Sequence, residues 1–130
     1  MRWLLDSVIL IDHFNGIEPA SRFIAGERYD IALSPITRTE VLSGFADDQR
    51  PVATELLDHF PTLPITATEA DLAASLRRSE RWRLPDALQA AVARYNDLGF
   101  VTRNTRDFPP RQYDFVTVPY VIEPRPGGDR

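Results

Sequence analysis

Apolar positions along the chain fall into two rhythms. Trp3-Leu4-Leu5, Ile31-Ala32-Leu33-Ser34, Phe100-Val101-Thr102 and Phe115-Val116-Thr117-Val118 are runs too short for helices. They predict buried strands, with Leu63-Pro64-Ile65 as one more short candidate. The segments between them carry apolar residues at helical spacing. Residues 8–14 predict a helix stopped by Asn15-Gly16, and residues 18–27 a second with Pro19 in its first turn. Thr37-Arg38-Thr39-Glu40 opens a third, carrying Val41, Leu42 and Phe45. Residues 51–60 form a fourth through Val52, Leu56 and Phe60, and Thr68-Glu69-Ala70-Asp71 starts a fifth towards Arg78. The last begins at Pro85-Asp86, with Leu84, Leu88, Ala91, Val92 and Tyr95 as its apolar stripe, before the break at Gly99. Strands alternating with helices imply an α/β fold whose mostly parallel sheet is covered on both faces. Such sheets bind ligands beyond the carboxyl ends of their strands.

Four acids fall at that edge. Asp6 ends the first strand, Glu40 lies in the first turn after the second, Asp86 starts the last long helix, and Asp107 follows the strand at residues 100–102. Each has a purely structural alternative. Asp6 suits a turn, Thr37 and Glu40 a capping box, Asp86 a helix amino terminus, and Asp107 a reciprocal cap with Asn104. Asp12, on the first helix, reads as a structural hydrogen-bond partner. Clustered carboxylates stay ionised only when cations or donors compensate them. Mg²⁺ or Mn²⁺ suits an all-oxygen set of this kind, and a phosphodiester is then the natural substrate.

Composition narrows the partners. The 130 residues fit one domain, expected over residues 1–122, with a Pro-, Gly- and charge-rich tail over residues 123–130. There is no cysteine, which removes disulfides, thiolate zinc sites and cysteine nucleophiles. No apolar stretch reads as a membrane span or secretory signal, and a cytoplasmic protein is expected. The formal charge of −4 argues against a non-specific nucleic-acid coat. All 15 basic residues are arginine. Arg38, Arg103 and Arg106 stand near the acids in sequence and could contact substrate phosphates or pair internally with the acids. Arg81-Trp82 suggests either phosphate binding with base stacking or a surface ion pair beside a packing aromatic, and Tyr95 reads as core.

Four segments in this order resemble the PIN domain, in particular the VapC-like toxins of bacterial toxin–antitoxin pairs. They are Leu4–Asp12, Ser34–Gly44, Leu84–Ala91 and Thr102–Phe108, and the resemblance runs from Leu4 to about Pro119. It implies a three-layer α/β/α domain and a metal site formed by Asp6, Glu40, Asp86 and Asp107. Thr102 and Asn104 would support that site and Ser7 would assist near Asp6. The implied activity is endonucleolytic RNA hydrolysis with Mg²⁺ or Mn²⁺. The implied partners are a VapB-like antitoxin and a second copy of the chain. Val8 stands where many relatives carry asparagine, Gln89 replaces a frequent apolar residue, and Arg77 to Arg83 matches no family signature. A metal-dependent DNA or structure-specific nuclease would carry the same acids. A catalytically weak RNA- or protein-binding module of the same fold is the non-enzymatic alternative.

Overall fold

The computed structural model describes residues 1–122; the tail expected over residues 123–130 lies outside them. Four strands, β1 (Trp3–Leu5), β2 (Ile31–Ala32), β3 (Gly99–Val101) and β4 (Val116–Thr117), form a parallel sheet in the order β2-β1-β3-β4. Among the described residues six α-helices surround it: α1 (Ser7–Phe14), α2 (Glu18–Glu27), α3 (Pro35–Ser43), α4 (Arg50–Leu57), α5 (Ala67–Glu80) and α6 (Leu84–Tyr95).

The period of two along each strand divides the core into two layers. Leu4, Ala32, Phe100 and Val116 pack against α5 and α6. Leu5, Ile31 and Val101 pack on the other side with residues of α1, α2, α3 and α4. The result is the expected three-layer α/β/α arrangement. Gly99 lies opposite Trp3 in the β1–β3 register. A Cβ at Gly99 would stand 2.7 Å from the Trp3 ring, so the indole lies directly over its backbone. Among the described residues no helix is long and apolar enough to cross a membrane.

Several expectations need correction. Residues 63–65 form no strand: Leu33 makes a single parallel bridge to Thr62, with Pro61 just before it and Pro64 two residues on, and Pro64 has no N–H to extend a ladder. The helix expected from Thr37 starts at Pro35, because Ser34 caps it. The Ser34 hydroxyl accepts the amides of Ile36 (3.1 Å) and Thr37 (3.2 Å), and proline is well suited to the first helical position. Thr37 and Glu40 are therefore interior helical residues, and the capping box expected there does not form. The helix at 51–60 ends at Leu57, with Val52 exposed and Ala53 and Leu57 buried in its place. In α6, Leu84 and Tyr95 are more than half exposed, while Ala87, Ala90, Ala91 and Val92 make the buried face.

Candidate active site

The edge of the sheet gathers the acids through local chemistry at the strand ends. Asp6 leaves β1 with φ −66° and ψ 151° and caps α1. Its Oδ1 accepts the Ser7 amide at 2.8 Å, and its Oδ2 accepts the Thr102 hydroxyl at 2.7 Å. Thr102 follows β3, the strand beside β1, so parallel pairing alone brings positions 96 residues apart into contact. The Ser7 hydroxyl donates to Glu40 Oε1 at 2.7 Å, tying α1 to α3.

Thr102 Oγ1 also accepts the Asn104 amide at 2.9 Å. Asn104 Nδ2 donates to Asp107 Oδ2 (2.9 Å), and the Asp107 amide returns a bond to Asn104 Oδ1 (3.2 Å). Half of the reciprocal cap weighed for Asn104 and Asp107 thus forms: Asn104 caps the Asp107 amide, but its own amide goes to Thr102, and its side-chain Nδ2 holds the Asp107 carboxylate instead. A hydrogen-bonded route runs from Glu40 through Ser7, Asp6, Thr102 and Asn104 to Asp107. Asp86, in the first turn of α6, joins the group electrostatically.

Burial pushes the Asp86 carboxyl up to about 6, reinforced by the charges of Asp107, Asp6 and Glu40 and opposed by Arg83. The guanidinium of Arg83 is 3.9 Å away and 82% exposed, which explains its weak hold. Burial also raises Asp6, against the hydrogen bonds from Thr102 and Ser7, with the Glu40 charge adding to the rise.

This donor set suits a hard divalent ion in kind: four carboxylates in mutual repulsion, with Asp86 receiving no hydrogen bond among the described residues. It is not a closed cage. Among the described residues no three His, Cys, Asp or Glu side chains are grouped so as to hold a metal. An incoming cation would therefore have to draw the acids closer, and the repulsion it would relieve is already present.

The arginines near the acids are differently employed. Arg103 forks onto Asp12, with Nε to Oδ2 at 2.6 Å and Nη2 to Oδ1 at 2.9 Å. Tyr120 donates its hydroxyl to the same Oδ2 at 2.8 Å. Burial alone would raise Asp12, but these bonds and the guanidinium charge outweigh it and hold the carboxyl below its ordinary range. Arg38 pairs with Asp58 at 3.0 Å. Arg103 and Arg38 thus pair internally, but with Asp12 and Asp58 rather than with the four candidate site acids. Arg106 is exposed, with no carboxylate partner among the described residues. Trp82 does not offer a stacking face to solvent. It is 6% exposed, packs on Phe108 and Tyr113, and donates its indole N–H to the Asp107 carbonyl at 2.8 Å.

Sequence reasoning missed a buried polar relay beneath the acids. Gln89 is fully buried on the inner face of α6. Its Oε1 accepts the Ser34 hydroxyl (2.5 Å), and its Nε2 donates to Thr37 Oγ1 (2.6 Å). Thr37 in turn donates to the Leu5 carbonyl (2.9 Å), one residue before Asp6. The relay fixes β1, α3 and α6, which carry Asp6, Glu40 and Asp86, in one frame. The polar residue within an apolar helix motif was its only signal.

The sequence matches the PIN domain family over residues 3–112. It is 34% identical over 126 residues to Ribonuclease VapC10 of Mycobacterium tuberculosis, covering 92% of this chain and 93% of that protein. Its fold superposes on a chain of a toxin–antitoxin complex from Klebsiella pneumoniae with a TM-score of 0.85 and 33% identity, over 92% of this chain and 98% of that one. A chain of FitAcB from Neisseria gonorrhoeae shares the fold at TM-score 0.75 and 23% identity, over 90% and 97% of the respective chains.

Proposed function

This chain belongs to the PIN domain family, with VapC-type toxins among its homologues, and from that membership we propose that it is a toxin endoribonuclease restrained by a cognate antitoxin. The observation that carries the reading is the hydrogen-bonded route joining Glu40, Asp6 and Asp107, beside which the Asp86 carboxyl is raised to about 6 by burial and by the charges of Asp107, Asp6 and Glu40. Perturbation by several acids at a strand edge is expected where a cation is to be received.

Asp6, Asp86 and Asp107 would be the principal ligands of Mg²⁺ or Mn²⁺, with Glu40 beside them. When bound, such an ion lowers the pKa of water and offsets charge on the phosphate. The chain's own contribution is placement. Thr102 and the Ser7 amide fix both oxygens of Asp6, Asn104 fixes one oxygen of Asp107, and the Ser7 hydroxyl fixes one oxygen of Glu40. Glu40 keeps Oε2 for orienting a water towards the scissile phosphorus. The attack leaves a 5′-phosphate and a 3′-hydroxyl, as the family resemblance implies. An antitoxin carrying a basic segment fits the acidic edge by charge. The likeness to a chain of the toxin–antitoxin complex from Klebsiella pneumoniae supports an antitoxin as partner. A second copy of the chain completes the proposed assembly.

The test is to strip the purified protein of metal, add mixed cellular RNA, and restore Mg²⁺ or Mn²⁺. Metal-dependent fragments are expected from the wild type and not from Asp6→Asn or Asp107→Asn. Cleavage persisting in both variants would overturn the assignment.

A further inference from the structure

The last turn of α5 and the segment joining it to α6 carry Arg77, Arg78, Arg81 and Arg83 within seven residues. A cavity of about 680 Å³ lies there, walled by Arg77, Arg78, Arg81, Trp82, Leu84 and Leu88, and no carboxylate lines it. Glu80, the acid within the run, is turned to the Tyr113 hydroxyl at 2.6 Å. Among the described residues none of the three lining arginines is in an ion pair, unlike Arg38 and Arg103. Arg77 is anchored by its Nε, which donates to the Trp82 carbonyl at 3.3 Å. Arg81 closes α5 in the left-handed conformation, φ 62°, where glycine or asparagine is the usual choice. A cation is therefore held at a backbone position that disfavours it, which points to a use for the side chain.

The cavity adjoins the acid cluster. Trp82 makes the link, as both its wall and the donor to the Asp107 carbonyl, while Leu84 and Asp86 stand on different faces of the first turn of α6. Phosphates approaching four acids on a chain of charge −4 are repelled unless cations stand next to the site. Guanidinium groups match phosphate oxygens in geometry and retain their charge. We propose that the arginine-walled cleft between α5 and α6 binds the backbone phosphates of single-stranded RNA flanking the bond to be cut. The identity of the polyanion rests on the ribonuclease reading; the cationic cleft does not.

The test measures binding of a fluorescent mixed-sequence single-stranded RNA to the full chain in chelator, across a salt series. Arg78→Gln combined with Arg81→Asn removes two charges and keeps a residue suited to the left-handed position. The slope of log affinity against log salt should fall by about 1.4, from two lost contacts at about 0.7 each. Arg78→Lys with Arg81→Lys should retain the slope, which separates charge from misfolding. With metal restored, the charge-removing pair should raise KM for RNA with kcat retained. An unchanged slope in that pair would overturn the cleft while leaving a metal-dependent ribonuclease intact. A reduced slope with no cleavage by the wild type under any divalent ion would support the cleft and sink the nuclease reading. Absence of RNA binding by the wild type, or loss of self-association alone in the variant, would overturn the cleft, the latter by making it a protein interface.

Discussion

Replacing Asp86 by asparagine should make the metal-free protein more stable at neutral pH. In the unfolded chain Asp86 titrates near its ordinary value of 3.8; in the fold it is raised to about 6. The native state therefore holds an extra proton between about pH 4 and 6, and stability must fall as pH rises through that window. A displacement of about two pH units corresponds to about 3 kcal/mol at most. The carboxyl keeps 18% of its side-chain surface, and solvent screening reduces the figure to about 1–2 kcal/mol. Asp86→Asn abolishes the charge at similar volume, so it should recover that amount at pH 7.5, roughly 4–8 °C in Tm. Thermal melts in chelator at pH 5 and pH 7.5 would measure it. The wild type should lose stability between the two values, with a smaller loss in the variant. Added Mg²⁺ should then stabilise the wild type more than the variant, since binding to the native state alone raises its stability. A variant that melts below the wild type at pH 7.5 without metal would refute the account of Asp86 as a repelled carboxylate.

Three further outcomes follow from the packing. Gln89→Leu strands the Ser34 hydroxyl and removes a donor from Thr37, so urea unfolding should show a loss of about 1–3 kcal/mol; stability at or above wild type would deny the relay a role. Gly99→Ala drives a methyl into the Trp3 ring and should cost about 1–3 kcal/mol, read by thermal melting with tryptophan fluorescence. Asp12→Asn removes the charge that Arg103 and Tyr120 hold and should cost about 1.5–3 kcal/mol at neutral pH. Because the native Asp12 carboxyl is held below its ordinary value, its contribution is present above the usual carboxylate range and lost as pH falls through the lowered value. The variant's acid-unfolding curve should be correspondingly flatter than that of the wild type.

What could be read from the chain was whatever is local or periodic. The pairs Leu4/Leu5 and Phe100/Val101 announced two-sided strands, and Pro85-Asp86 announced a helix start; both are consequences of backbone geometry. Parallel order then carried Asp6 and Thr102 together without a prediction of any contact. Errors arose where two local signals competed. Ser34-Pro35 outranked Thr37–Glu40 as a helix start because the hydroxyl before a proline caps two amides at once. Tyr95 and Leu84 satisfied the spacing of a buried stripe, but each sits at an end of α6, where that face runs out of neighbours. Gln89 stood out as a polar residue in an apolar motif and Asp12 as a hydrogen-bonding residue, but their partners lie 52 to 91 residues away and nothing in the local pattern encodes them.

The Tyr120 hydroxyl spans 108 positions to reach Asp12, and this has a bearing on biosynthesis. A polypeptide growing on the ribosome exposes the residues of α1 early but cannot complete the Asp12–Arg103–Tyr120 junction until Tyr120 has cleared the exit tunnel. The loop that bears Asn104 and Asp107 thus gains this anchorage only after all four strands have been synthesised. Chains released prematurely, before residue 120, would carry all four acids yet lack the fastening that steadies the fourth.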